Sequence, residues 1–565
     1  MKFLGVLLLV AMACASVAAD KAFDIVITNG HIIDGTGSPW YSGDIGVRAG
    51  KIAAIGRLID APRKQTIDAR GQVVAPGFID MLGQSEWTLL IEPSLPSKIF
   101  QGITTEVTGE GESIAPLTDD MIKADHEFHE HYRLKVTWHS LAEYFQRLEK
   151  QGIGINFATY VGAAQVRRLV LGVDDKQPTP AQLDQMRKLV RDAMRDGAMG
   201  VSSALIYPPA TFAKTPELIA LAQEASKYGG LYATHIRNEG DTIIEALDEA
   251  FQIGREAKIP VEIWHLKAAG KPNWGRMPEI VAKISSARAE GLDVTADTYG
   301  YPASFNGLAA YVPPWAHDGG TAKMIERLKD PATRARIRDE MLKPSKDWEN
   351  EWLSTPGPEA ILIGVVNNPK LKSLQGKNLA QIAAEWKKEP LEAFFDLLIE
   401  DQGFVQAARF SMSEPDVALG VQQPWVSFDN DSQGTSPEGR LGAQHPHPRA
   451  YGTFPRILRK YVREEKKLTL EDAIRKMTSL PAQRMRFTDR GVLKSGMWAD
   501  IVIFNPETIR DLATFDKPNQ LSEGMDYVLV NGVPVIAHGQ QTRALPGKVL
   551  RNAAAGTATL QRGAN

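Results

Sequence analysis

Two stretches about thirty residues apart, at His235 and His265, carry the same arrangement. Gly230 to Thr234 is an apolar run that reads as a buried strand and delivers His235 at its carboxyl end. A helical pattern begins near Asp241, and Ile259-Pro260-Val261-Glu262-Ile263-Trp264-His265-Leu266-Lys267 then repeats the strand and ends on His265. A single histidine at a strand end is most often an ordinary hydrogen-bonded residue. Two at matching positions in consecutive βα units point to a metal site on the upper rim of a parallel barrel.

The surrounding chain supports that barrel. Strand candidates fall at Phe78-Ile79-Asp80, Thr104 to Thr108, Ile155 to Val161, Gly200 to Leu205, Leu231 to His235, Val261 to His265, Asp293 to Tyr299 and Trp425 to Phe428. Helical patterns such as Pro180 to Asp196 and Pro216 to Tyr228 lie between most of them. Eight βα units make a closed α/β (β/α)8 barrel, which places chemistry at the carboxyl ends of the strands. The gap between strands seven and eight is too long for a loop. It holds helical stretches at Ala322 to Leu342 and Leu379 to Glu400, and the apolar strip Ile361 to Val366, which predict a lid at about 305–420 and the seventh barrel helix.

Both ends read as short strands. Phe23 to Thr28 is followed by Asn29-Gly30, a hairpin-type turn, and then by His31-Ile32-Ile33. Ile45 to Val47, Ile52 to Ile55 and Gln72 to Val74 continue this texture, which returns at Ala499 to Phe504 and Met525 to Gly532. The two ends are expected to pair into one β-sandwich. The predicted organisation is a signal segment at 1–19, sandwich at 20–75, barrel at 76–485, sandwich again at 486–545 and a loose tail at 546–565.

A chain of 565 residues exceeds one compact core. Its net charge of −3 gives no reason to expect nucleic acid or an anionic membrane, so small molecules are the expected partners. Lys2, the apolar run Phe3 to Ala13 and the small residues ending Val17-Ala18-Ala19 read as a secretory signal, which predicts a periplasmic or secreted protein. The only cysteine, Cys14, lies inside that segment, so disulfides, thiolate zinc sites and cysteine nucleophiles are excluded from the mature chain. Lipid attachment at Cys14 is the less favoured alternative.

Several stretches together resemble one family. They are Pro76-Gly77-Phe78-Ile79-Asp80, Gly102-Ile103-Thr104-Thr105, Ala233-Thr234-His235-Ile236-Arg237, His265-Leu266-Lys267, Tyr299-Gly300-Tyr301, His445 to Arg456, and Ala499-Asp500-Ile501-Val502. From about residue 22 to about 551 the chain resembles the N-acyl-D-amino-acid deacylases (D-aminoacylases) of the amidohydrolase superfamily. The resemblance implies a main zinc ion held by a residue after strand two, His235 and His265. The strand-two position reads Gly109-Glu110-Gly111-Glu112, where the deacylases commonly have cysteine. Glu110 is the preferred ligand because it lies closer to the strand, with Glu112 as competitor. The resemblance also implies a catalytic aspartate after strand eight: Asp431 by spacing, with Asp429 as runner-up. Arg449 would hold the substrate α-carboxylate, helped by Tyr299 and Lys267.

One departure is large. Where the superfamily has histidine-x-histidine after strand one, this chain has Leu82 and Gln84, with Glu86 two residues further on. A dication without charged or imidazole ligands is too costly to desolvate, so one zinc per chain is expected. The predicted activity is hydrolysis of N-acyl amino acids, of D configuration, by a zinc-activated water with Asp431 as general base. Two alternatives stay open: an amidohydrolase acting on a cyclic amide or dipeptide, and a degenerate scaffold used for binding.

Overall fold

The computed structural model describes residues 22–555. The predicted signal segment and Cys14 lie outside them. Eight parallel strands form the barrel: Phe78–Asp80, Ile103–Thr108, Asn156–Thr159 continued as Val161–Gly162, Gly200–Ala204, Leu231–His235, Val261–Ile263, Val294–Thr298 and Val426–Phe428. Each pairs with the next, and the Met81 N–H donates to the Phe428 carbonyl at 3.3 Å to close the ring. Met81, Leu82, Val107, Tyr160, Leu231, Ala233 and Trp264 fill the interior, so the barrel is a packed core whose open end is its upper rim. The outer helices follow from local signals. Pro180–Asp196 starts on a Thr179–Gln182 capping box with proline in its first turn, and stops at Gly197.

The two chain ends share one nine-stranded sheet. The junction is the antiparallel pairing of Val73–Pro76 with Ile501–Phe504, in which Val74 faces Ile503. Ile25, Ile27, Val47, Ile52, Ile501, Ile503 and Leu529 form its apolar core.

Three expectations change. Asn29-Gly30 is not a hairpin turn. Phe23–Ile32 is one strand, and Asn29, at φ +56°, makes a bulge in its ladder with Tyr41–Arg48. Its side chain donates to Asp68 on a neighbouring strand, which holds the left-handed conformation in place. The two long helical stretches of the insert are each broken in two, as Thr321–Lys329 with Pro331–Met341 and as Leu379–Trp386 with Pro390–Glu400. Proline cannot supply the N–H that an interior position needs, so each Pro opens a new helix behind a carboxylate cap, Asp330 or Glu389. The segment from 546 is no loose tail as far as 552. Pro546 and Val549 bridge to the third barrel strand and its approach, and Asn552 donates to the Met194 carbonyl at 2.8 Å. Residues 556–565 lie outside the described range.

The insert between strands seven and eight has its own three-stranded antiparallel sheet, Ser304–Gly307, Gln406–Arg409 and Ile361–Val365. It also has its own core around Leu308, Tyr311, Leu328, Phe394 and Leu398. Helix Glu414–Gln422 then leads into strand eight as the seventh barrel helix. Ser304, Phe305, Asn306 and Glu351 of the insert line the same cavity as Glu110, His235 and His265, so the insert forms one wall of the barrel mouth.

Candidate functional site

The loop after strand two turns on Gly109 (φ +97°) and Gly111 (φ +65°), which hold Glu110 between them. A Cβ at Gly109 would meet the Tyr160 carbonyl at 2.7 Å, and one at Gly111 would meet Ala204 at 2.6 Å, so the turn can lie this close to the barrel only with glycine at both positions. Strand five ends on His235. His265 follows strand six at φ +37°, which turns its ring back over the mouth.

The three residues converge. Glu110 Oε1 lies 3.0 Å from His235 Nδ1 and 3.4 Å from His265 Nε2. One ligand atom from each falls within 4.8 Å of the others, the only such cluster among the described residues. Glu112 is solvent-exposed and outside it, and Glu86 is not part of it.

The cluster fits a divalent ion. His235 Nε2 is buried without a hydrogen-bond partner, and two imidazoles with a carboxylate are ligands that zinc accepts. Glu239, four residues beyond His235, backs the far side of the site: its Oε1 is 3.0 Å from His265 Nδ1 and accepts from Lys267 Nζ at 2.6 Å. A carboxylate behind a histidine ring is the arrangement that orients metal-binding imidazoles. The electrostatics agree. Burial and Lys267 push His265 down, but Glu239, Asp431 and the Glu110 contact outweigh them and lift it to about 10. Burial works against the charged form of Glu110, yet the two histidines hold it well below the usual carboxylate range. The field at this point is set for positive charge.

The strand-one residues go elsewhere. Leu82 is fully buried in the barrel core. The Gln84 amide donates to Glu110 Oε2 at 2.8 Å and to Asp431 Oδ1 at 3.1 Å. Both neighbours only accept, so the amide nitrogen must face them.

Asp431 follows strand eight at φ +43°, a left-handed conformation that aspartate tolerates, and its N–H donates to the Leu82 carbonyl. Its Oδ2 lies 2.8 Å from Arg449 Nη1. Asp429 is fully buried. Burial, and then the Asp431 charge, push it up to about 8, so at neutral pH it mostly carries a proton already and is not free to accept one. Arg449 opens the helix Arg449–Arg456, with its guanidinium 4.5 Å from the centre of the Tyr299 ring. The Tyr299 hydroxyl, like Arg449 Nε, is buried without a hydrogen-bond partner. All seven predicted site residues therefore gather at one mouth.

Sequence reasoning assigned nothing to Glu239, Asn306 or Glu351. Glu239 had a signal, its position four residues after His235 in the organising stretch. Asn306 and Glu351 had none, because an insert folding separately brings them in.

The amidohydrolase family model matches residues 65–351 and 381–536, and the model of the urease alpha-subunit N-terminal domain matches residues 8–76. The chain is 35% identical over 545 residues to the N-acyl-D-glutamate deacylase of Alcaligenes xylosoxydans xylosoxydans, covering 94% of this chain and 97% of that one. It is 36% identical over 539 residues to the D-aminoacylase of the same organism, covering 95% and 99%. Among solved structures it is similar to the N-acyl-D-glutamate deacylase of Bordetella bronchiseptica, described as complexed with zinc and a phosphonate mimic of the tetrahedral intermediate. That similarity has a TM-score of 0.78 at 34% identity, over 94% of this chain and all of that one. With most of its length matched by family model, relatives and fold, the chain belongs to the N-acyl-D-amino-acid deacylase group of the amidohydrolase family.

Proposed function

We propose that this chain is a metal-dependent hydrolase that deacylates N-acyl-D-amino acids, with one zinc ion held by Glu110, His235 and His265. The observation that carries the reading is the convergence of those three residues beside Asp431 at the open end of the barrel. A bound divalent ion supplies Lewis acidity there, making water more acidic and stabilising negative charge on the scissile oxygen.

The remaining work falls to the chain. Asp431 takes the proton from the attacking water and passes it to the departing amine nitrogen. Arg449, with Tyr299 beneath it and Lys267 nearby, holds the substrate α-carboxylate. Amide and water give a free carboxylic acid and an amino acid, with Asp431 returned to its starting state.

A single ion is supported by Leu82, whose side chain belongs to the apolar core, and by Gln84, whose amide spans Glu110 and Asp431. Identity to the relatives does not choose the side chain of the substrate, since a D-glutamate enzyme and a D-aminoacylase match it equally well. Export through the first nineteen residues is part of the same proposal, supported by their charge and apolar pattern. No helix among the described residues is long and apolar enough to cross a membrane.

The test is steady-state turnover of paired N-acetyl-D- and N-acetyl-L-amino acids, with metal content measured on the same preparations. D-selective turnover lost to a chelator and restored by zinc is expected. Activity that survives complete metal removal would overturn the mechanism, and turnover confined to cyclic amides would overturn the substrate class.

A further inference from the structure

Asp431 and Arg449 hold each other. Asp431 Oδ2 sits 2.8 Å from Arg449 Nη1, while Oδ1 accepts from Gln84. A general base whose two oxygens are both engaged is a poor proton acceptor, because the proton must displace a charge-assisted contact. Arg449, only 2% exposed, is itself incompletely satisfied. Its Nη1 approaches Asp431 closely but out of line for a hydrogen bond, and neither Nη1 nor Nε has a hydrogen-bond partner. Nη2 reaches only the Phe305 carbonyl, at 3.4 Å. The buried Tyr299 hydroxyl nearby is also without a partner. Arg449 therefore meets Asp431 as a charge and still lacks the two parallel bonds that a planar guanidinium can make.

We propose that the substrate's α-carboxylate exchanges with Asp431 on Arg449, so that the group which is recognised also releases the base. A carboxylate placed across Nε and Nη1 satisfies both free donors, and Tyr299 can add a third bond. Asp431 then loses its counter-charge and gains basicity only when a substrate of the right kind is seated. This rests on the deacylase reading and adds to it a second role for Arg449, that of a positioning residue for the base. It assigns the effect of the substrate carboxylate to kcat as well as to KM. An ordinary binding clamp affects mainly KM.

The experiment uses the metal-loaded enzyme with N-acetyl-D-methionine and its neutral primary amide. In the wild type, removing the carboxylate is expected to lower kcat about tenfold or more, the scale of one charge-assisted contact. Acetate, added as the missing carboxylate, should raise kcat on the amide substrate. Arg449→Met should erase the acetate effect and turn over the amide substrate faster than the wild type does, because nothing then holds the base. Arg449→Lys should fall between them. Metal content and circular dichroism report whether each variant is folded. If Arg449→Met does not fold, acetate activation of the wild type decides alone. Equal wild-type kcat on acid and amide, or no response to acetate, overturns the exchange and leaves the deacylase reading intact. No turnover of either substrate overturns the deacylase reading, and the exchange with it.

Discussion

Gln84→Glu is the sharpest test of a one-ion site. The Gln84 amide donates to two carboxylates, at 2.8 Å and 3.1 Å. Hydrogen bonds to charged groups are each worth about 1.5–3 kcal/mol, so losing both removes about 3–6 kcal/mol. The substitution also places a third carboxylate at the same separations. At an effective dielectric of about 20, each new like-charge pair near 3 Å costs on the order of 5 kcal/mol. The cluster cannot carry that repulsion uncompensated, so residue 84 must take up either a proton or a cation. Without metal, the variant should melt well below the wild type. With excess zinc or manganese, it should gain stability and hold two ions per chain where the wild type is expected to hold one. The assays are elemental analysis after desalting and thermal melts at several ion concentrations, with manganese spin coupling as an independent sign of a paired site. Gln84→Leu, which removes the donors without adding charge, should lose stability and still hold one ion. If Gln84→Glu binds one ion and melts like the wild type, the amide is not bridging the two acids and the argument fails.

Other outcomes follow from the same geometry. His235→Ala and His265→Ala should each lose the ion and turnover together, read by elemental analysis and by activity at saturating zinc. Lys98→Met should be among the most damaging single changes. Lys98 is buried against Asp80 at 2.6 Å and Glu106 at 3.0 Å, and its removal strands two buried carboxylates at a cost of about 3–5 kcal/mol, measurable by denaturant unfolding. His317, buried in the insert with its ring on the Ala309 carbonyl, is pushed down by burial from 6.5 to about 4. The unfolded chain takes up that proton near 6.5 and the folded one only near 4. Stability is therefore lost as pH falls through that window, by about 3 kcal/mol, and melts of His317→Gln should show a flatter acid limb. Removing everything after residue 545 should destabilise the barrel at its third strand, seen as faster amide exchange at Phe157, whose N–H donates to the Lys548 carbonyl across that junction.

The barrel and the convergence of Glu110, His235 and His265 were legible because their signals are local. A buried strand that ends on histidine keeps its meaning wherever it sits, and Glu110 lies closer than Glu112 to the end of its strand. What was not legible depended on distant partners. Asn29-Gly30 has the composition of a hairpin, and only its pairing with both Tyr41–Arg48 and Arg63–Asp68 makes it a bulge inside a longer strand. The C-terminal segment has the composition of a tail and is ordered by the barrel edge it meets. Gln84 is the clearest case. In sequence it is a missing metal ligand. In the structure it is a donor to two acids that come from residues 110 and 431. The opposite error came from Pro331 and Pro390, local stop signals that the apolar pattern on either side concealed.

The sheet shared by the two chain ends sets a timetable for synthesis. Val73–Pro76 gains its antiparallel partner Ile501–Phe504 only after about 400 intervening residues have been made. At ribosomal speeds of about 5–20 residues per second, that strand waits for roughly 20–80 s. During that interval its four apolar residues line an open edge, the kind of surface on which chains join the wrong partner. The native sheet cannot be completed co-translationally from its amino-terminal half. The yield of active protein should depend on what shields that strand in the interval, and slowing synthesis should lower it.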